Sequence, residues 1–223
     1  MASSDFTELF AATRTLEGAY MPGEQTASYF PLAEEYADRH QLRTRAAILD
    51  DDIDVVANVN PTGSGKTLSW LAPTIRSGED GEGWIVLATY PTKTLIEDQL
   101  RSIRARFKQY YTATWSPQPS EHTLRETESG AVIDTGNECF PLTEQVRSIT
   151  GEDTVGRPTG EVVMEAFEAA RSAATAGVPT VILTTPDMLS LLATQRVKSM
   201  DAGQFPGLVD AIVVDEFHLA NPR

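Results

Sequence analysis

The chain predicts an α/β fold built on a parallel sheet flanked by helices, and three observations carry that expectation. Four short apolar runs, near 55–59, 84–90, 178–184 and 209–214, have the length and β-branched content of buried strands. Segments with helical periodicity separate them, as crossover connections between parallel strands require. The first run breaks into Pro61-Thr62-Gly63-Ser64-Gly65-Lys66-Thr67, a glycine-rich turn followed at once by a helix-compatible segment.

Taken in order, residues 4–16 read as a helix opened by Ser4 or Asp5, and 18–23 as a loop around Pro22. A second helical pattern covers 31–49, bent near Arg39-His40-Gln41. Asp50-Asp51-Asp52-Ile53-Asp54 is a polar turn, whose consecutive acids read as solvated surface rather than a metal site. The strand at 55–59 and the glycine turn lead into a helix at 66–76, and a loop with Gly78, Gly81 and Gly83 follows. Next come a strand at 84–90, a turn at Pro91-Thr92-Lys93 and a helix at 94–110. Residues 111–158 carry Pro117, Pro119, Pro141 and Pro158, and read as an insertion of loops around one short strand near 131–134. An alanine-rich helix at 161–176, a strand at 178–184, a helix at 188–197 and a strand at 209–214 complete the pattern.

Composition narrows the class. At 223 residues and 41% hydrophobic content the chain can hold one ordinary domain with a sizeable core. No stretch approaches the roughly 18 apolar residues of a membrane span. The N-terminus shows no basic region ahead of an apolar one, so a cytoplasmic protein without membrane association is expected. The single cysteine, Cys139, excludes an intrachain disulfide and fits a reducing compartment. The balance of 18 basic against 32 acidic residues gives a net charge of −14. Only Lys66, Lys93, Lys108 and Lys198 are lysines, and a lysine-poor, acid-rich surface resembles those of extreme halophiles. In dilute buffer such a chain repels nucleic acid. At about 1 M salt the Debye length falls to ~3 Å, so net charge does not exclude that partner.

The glycine turn carries the chemistry. Strand, glycine loop and helix in succession are what a phosphate-binding loop needs. Gly63 and Gly65 let the backbone curl so that successive N–H groups point inward, and the helix start adds a positive dipole end. Lys66 can reach the β- and γ-phosphates, and the Thr67 hydroxyl can ligate Mg²⁺. Asn60 stands where the general pattern has glycine. The strand at 209–214 ends in Asp215-Glu216, the second half of an ATPase site: the first acid holds the Mg²⁺ water shell, and the second orients and deprotonates the attacking water.

With both halves in that order, the sequence resembles the DExH-box helicases of superfamily 2. The motifs that carry the resemblance are Pro61 to Thr67, Pro91-Thr92-Lys93 with Asp98-Gln99, Thr184-Thr185-Pro186-Asp187, and Asp215-Glu216-Phe217-His218. It implies a RecA-like ATP-binding domain over 41–223, preceded by a helical extension over 1–40. ATP and Mg²⁺ are the implied cofactors, with Thr62, Gly63, Ser64, Gly65, Lys66 and Thr67 as the nucleotide loop and Lys66, Asp215 and Glu216 as the catalytic set. Gln41 lies where the superfamily places an adenine-contacting glutamine, an ordinary polar helix residue being the other reading. Thr92, Lys93, Thr184 and Thr185 are implied to contact the backbone of a single strand of nucleic acid, with strand termination and helix capping as the alternative for the last two. His218 would link the ATP site to a partner domain.

Within the superfamily, the stretches around Asp215 and Thr184 are most similar to the interference helicase of type I CRISPR systems. The variant whose nuclease is a separate protein fits best, which implies a CRISPR effector complex as a further partner. DNA is then the expected strand; the same engine on RNA, and a non-catalytic nucleotide-binding remnant, are the alternatives. A second RecA-like domain, whose arginine finger is worth about 10³–10⁵ in rate in related enzymes, has no counterpart before Arg223. The chain alone is therefore expected to bind ATP weakly and to hydrolyse it very slowly.

Overall fold

The computed structural model describes residues 39–50, 52–53, 55–58, 64–112, 122–153, 155–193 and 205–215. The expected helix at 4–16, the loop at 18–23 and residues Thr62, Gly63, Glu216 and His218 lie outside them. The chain forms two compact units, Met1–Pro73 and Thr74–Arg223.

In the first unit, helix α1 (Arg39–Ile48) runs into a turn. There Ile53 N donates to Asp50 O (3.0 Å) and Asp52 N to Asp50 Oδ1 (3.1 Å), the self-capping turn that a short acidic side chain favours. Residues 55–58 follow, and here the sequence expectation fails. They form no strand, and Val55 and Val56 are 51% and 36% exposed. A β-branched run becomes a strand only where a neighbour takes up its N–H and C=O groups, and among the described residues this one pairs with none. Helix α2 (Lys66–Arg76) has the predicted bounds even though Pro73 sits inside it. The proline cannot donate to the Ser69 carbonyl one turn back, yet the helix continues to Arg76, with Leu71, Ala72 and Ile75 buried.

The second unit is organised on a parallel sheet of four strands: β1 (Ile85–Thr89), β5 (Val146–Ile149), β6 (Thr180–Thr184) and β7 (Ala211–Val214), in the order β5-β6-β1-β7. The register pairs Ile85 with Thr180 on one side of β1 and Val86 with Ala211 on the other. Every residue of β1 and β6 is buried, as expected for a parallel sheet covered on both faces. Ile85, Leu87, Ile149 and Ile182 pack with Val163, Ala166, Phe167 and Ala170 of helix α5 (Thr159–Thr175) and with Met188 and Leu192 of helix α6 (Pro186–Ala193). Helix α3 (Lys93–Thr112), which buries Ile96, Ile103 and Phe107, packs on β5 and β6.

Within the stretch read as loops, the described residues 122–153 are more regular than expected. Three antiparallel strands, β2 (Thr123–Thr127), β3 (Gly130–Asp134) and β4 (Cys139–Pro141), form a small separate sheet. A one-turn helix, α4 (Leu142–Gln145), then leads into β5, which joins the parallel sheet. Periodicity does not reveal these strands: β2 is exposed along nearly all its length, so it carries no apolar signature. Two loops of this unit also touch closely. A Cβ at Gly78 would lie 1.8 Å from Gly177 O, and one at Gly83 2.4 Å from Val178 C. Only glycine permits that approach.

Candidate functional site

The nucleotide-loop candidates lie in the first unit. Gly65 has φ +76°, the left-handed conformation that turns the chain into α2, and Leu68 N donates to Gly65 O (3.0 Å) to close the first turn. Lys66 and Thr67 are the first two residues of α2, where backbone N–H groups have no intrahelical acceptor. The Ser64 hydroxyl is shielded from solvent without a hydrogen-bond partner among the described residues. A shielded unpaired hydroxyl beside a left-handed glycine and a helix N-terminus fits a phosphate group. Gln41 is buried, and its Nε2 donates to Gly65 O (3.0 Å) across 24 residues of sequence. Its amide thus holds the loop itself. Asn58 Nδ2 donates to Ser69 Oγ (3.4 Å), tying the approach segment to α2.

The remaining described candidates lie at or just after the C-terminal ends of the strands in the second unit. Tyr90 N donates to Thr184 O (3.0 Å) and Asp215 N to Thr89 O (3.1 Å), so the ends of β6, β1 and β7 stand side by side. Asp215 is half-buried there. Thr92 caps α3: its Oγ1 accepts from Leu95 N (3.3 Å). Lys93, the next residue, donates its Nζ to Glu152 Oε1. Thr184 is fully buried and its hydroxyl donates to Ile149 O (2.7 Å), which stitches β6 to β5. Thr185 is partly exposed and caps α6, with Oγ1 accepting from Met188 N (3.4 Å).

Two residues near these candidates escaped the sequence reading. Tyr90 belongs by pattern to the apolar strand run at 84–90, yet its hydroxyl has no hydrogen-bond partner among the described residues. Its only signal is a polar-tipped ring immediately before Pro91-Thr92-Lys93. Glu152 has no local signal, because its contact with Lys93 spans 59 residues. Among the described residues no group of three or more His, Cys, Asp and Glu gathers as a metal site. No helix among the described residues is long and apolar enough to cross a membrane.

The parallel sheet and its flanking helices define the class: an α/β fold, consistent with a RecA-like helicase domain. Residues 38–135 match the family model of the DEAD/DEAH box helicases, which supports a helicase RecA-like domain. The match spans α1, the glycine turn, α2, β1 and α3, and ends past β3, so Thr184, Thr185 and Asp215 lie beyond it. Searches of curated proteins and of solved structures returned no match.

Proposed function

We propose that this chain supplies the ATP-binding domain of an ATP-dependent helicase that tracks single-stranded DNA by its backbone. The turn at 64–67 carries the reading: a left-handed Gly65, a shielded unpaired Ser64 hydroxyl and the N-terminus of α2 meet at one point. In this reading Thr62, Gly63, Ser64, Gly65 and Lys66 take the phosphates, and Gln41 steadies the loop through Gly65 at the adenine end. Thr67 and Asp215 serve Mg²⁺. Glu216 orients the attacking water and accepts its proton. Mg²⁺, when bound with ATP, neutralises charge building on the transferred phosphoryl group.

On the strand side, Thr92 and Thr185 open α3 and α6, whose first N–H groups suit backbone phosphates, and Lys93 adds a point charge. Thr184 supports that edge from beneath. His218 couples the site to a second RecA-like domain, which supplies the arginines that complete hydrolysis. The stretches around Asp215 and Thr184 favour a role in type I CRISPR interference, beside an effector complex and a separate nuclease, in a salt-rich cytoplasm.

The test is ATP binding with Mg²⁺, and ATPase activity with single-stranded DNA or RNA, for the chain and for Lys66→Ala. Loss of a charge-assisted phosphate contact is expected to weaken binding about ten- to hundredfold. Equal binding by Lys66→Ala would sink the reading, and stimulation by RNA but not DNA would move the substrate to RNA.

A further inference from the structure

We propose that Gln41 is a positioning residue that fixes the phosphate loop through Gly65, so that it governs affinity for the triphosphate and not the choice of base. The inference deepens the nucleotide reading of residues 62–67 and rests on it. Gln41 lies in the first turn of α1 and is 6% exposed, and its Nε2 donates to Gly65 O (3.0 Å) across 24 residues of sequence. A backbone carbonyl only accepts, so the amide atom that faces it is the NH₂ group. A side chain that reads adenine must turn its amide edge to an open pocket. This one is buried, with a donor directed at the backbone of the loop.

Gly65 needs that donor. Glycine adopts positive φ about as readily as negative, so nothing in residue 65 itself holds its φ at +76°. Its carbonyl carries two lone pairs, and two donors meet it. Leu68 N (3.0 Å) closes the first turn of α2, and Gln41 Nε2 reaches it from α1. The peptide plane between Gly65 and Lys66 is thereby fixed. In a planar trans peptide the N–H points opposite to the C=O, so holding Gly65 O directs the Lys66 N–H away from Gln41. That N–H belongs to the first residue of α2, where a helix start receives an anion. The shielded Ser64 hydroxyl, unpaired among the described residues, stands just before it. The fit between the two partners is close: a Cβ on residue 65 would lie 2.2 Å from Gln41 Nε2, so the glutamine fills the space that any other residue there would need.

The experiment measures binding of ATP, GTP and inorganic tripolyphosphate, each with Mg²⁺, to wild type, Gln41→Met, Gly65→Ala and the double variant. Each titration runs well below that variant's melting temperature, so that unfolding contributes nothing. Methionine keeps the length of glutamine and removes the donor. Loss of one hydrogen bond to the loop should weaken all three ligands alike, about three- to tenfold, and leave the ratio of ATP to GTP affinity unmoved. Gly65→Ala, whose Cβ displaces the same amide, should also weaken all three alike. In that background Gln41→Met should cost less than it does alone, because the bond it removes is already broken. A loss confined to ATP, with tripolyphosphate bound as in wild type, would make Gln41 the reader of the base and overturn the assignment. Unchanged binding of all three ligands, or full additivity of the two substitutions, overturns it as well. A wild type that binds neither ATP nor tripolyphosphate instead removes the nucleotide reading itself, and the proposal with it.

Discussion

Glu152 occupies the cation proposed to meet nucleic acid. Lys93 and Glu152 are 51% and 74% exposed, so their ion pair is a surface contact worth at most about 1 kcal/mol. The loop that carries Glu152 is nonetheless well held: Thr150 N and Oγ1 both donate to Asp153 Oδ2, at 2.6 and 2.9 Å. A fixed carboxylate on Lys93 competes with phosphate for the same ammonium. Glu152→Gln is therefore expected to raise affinity for single-stranded DNA about two- to fivefold in dilute buffer. The gain should vanish near 1 M KCl, where screening has already loosened the pair. Titration of labelled DNA at the two salt concentrations checks this, with Lys93→Ala as the control of opposite sign. A Glu152→Gln affinity equal to wild type in dilute buffer would show that the pair gates nothing.

Elements were legible where local sequence dictates them. Helix α2 has its predicted bounds because the glycine turn fixes its start, and β1 and β6 announce themselves as continuous apolar runs. The candidate site was legible to the same extent: Ser64, Gly65, Lys66 and Thr67 lie in one motif, whereas the Gln41–Gly65 and Asp215–Thr89 bonds join distant segments. What was not legible depends on partners elsewhere in the chain. Residues 55–58 carry strand propensity without a strand to pair with among the described residues, and exposed β2 pairs with β3 without an apolar face. The loop at 77–83 belongs to the same group. Its glycines look like mere turn residues, yet Gly78 is where one backbone passes another, with Gly177 O 1.8 Å from the position of a Cβ. A backbone carbonyl cannot rotate away as a side chain would. Gly78→Ala is expected to lower stability by about 1–3 kcal/mol, while Gly81→Ala, with nothing within 4 Å, pays only for its positive φ. Urea denaturation of the two variants ranks them, and equal midpoints would contradict the close approach.

For the whole chain, electrostatics sets the conditions under which everything above can be measured. Thirty-two acids face 18 basic residues, so the net charge of −14 repels itself in the compact state. The ion pairs Lys93–Glu152, Lys108–Glu126, Arg125–Asp134 and Arg157–Glu165 work against that repulsion, but all are largely at the surface. The Arg125 guanidinium holds the Asp134 carboxyl below the ordinary carboxylate range, so even this acid stays charged into mildly acidic solution. Added salt has two opposed effects: it weakens the pairs, each worth at most about 1 kcal/mol, and it screens the excess negative charge. Each pair cancels one acid with one base, so pairing cannot reduce the excess of 14, and only counterions can. Screening should win. The urea midpoint is expected to rise from dilute buffer to about 1 M KCl, where the Debye length is ~3 Å. Chloride rather than sulfate is the proper anion, since sulfate strengthens apolar burial in any protein. Single-stranded DNA binding should share this dependence: at low salt it is opposed by like charge, whereas an ordinary basic binder loses affinity with every increment of salt. A midpoint that falls steadily with KCl would mean that the surface pairs outweigh the net repulsion, and would remove the case for a salt-adapted protein.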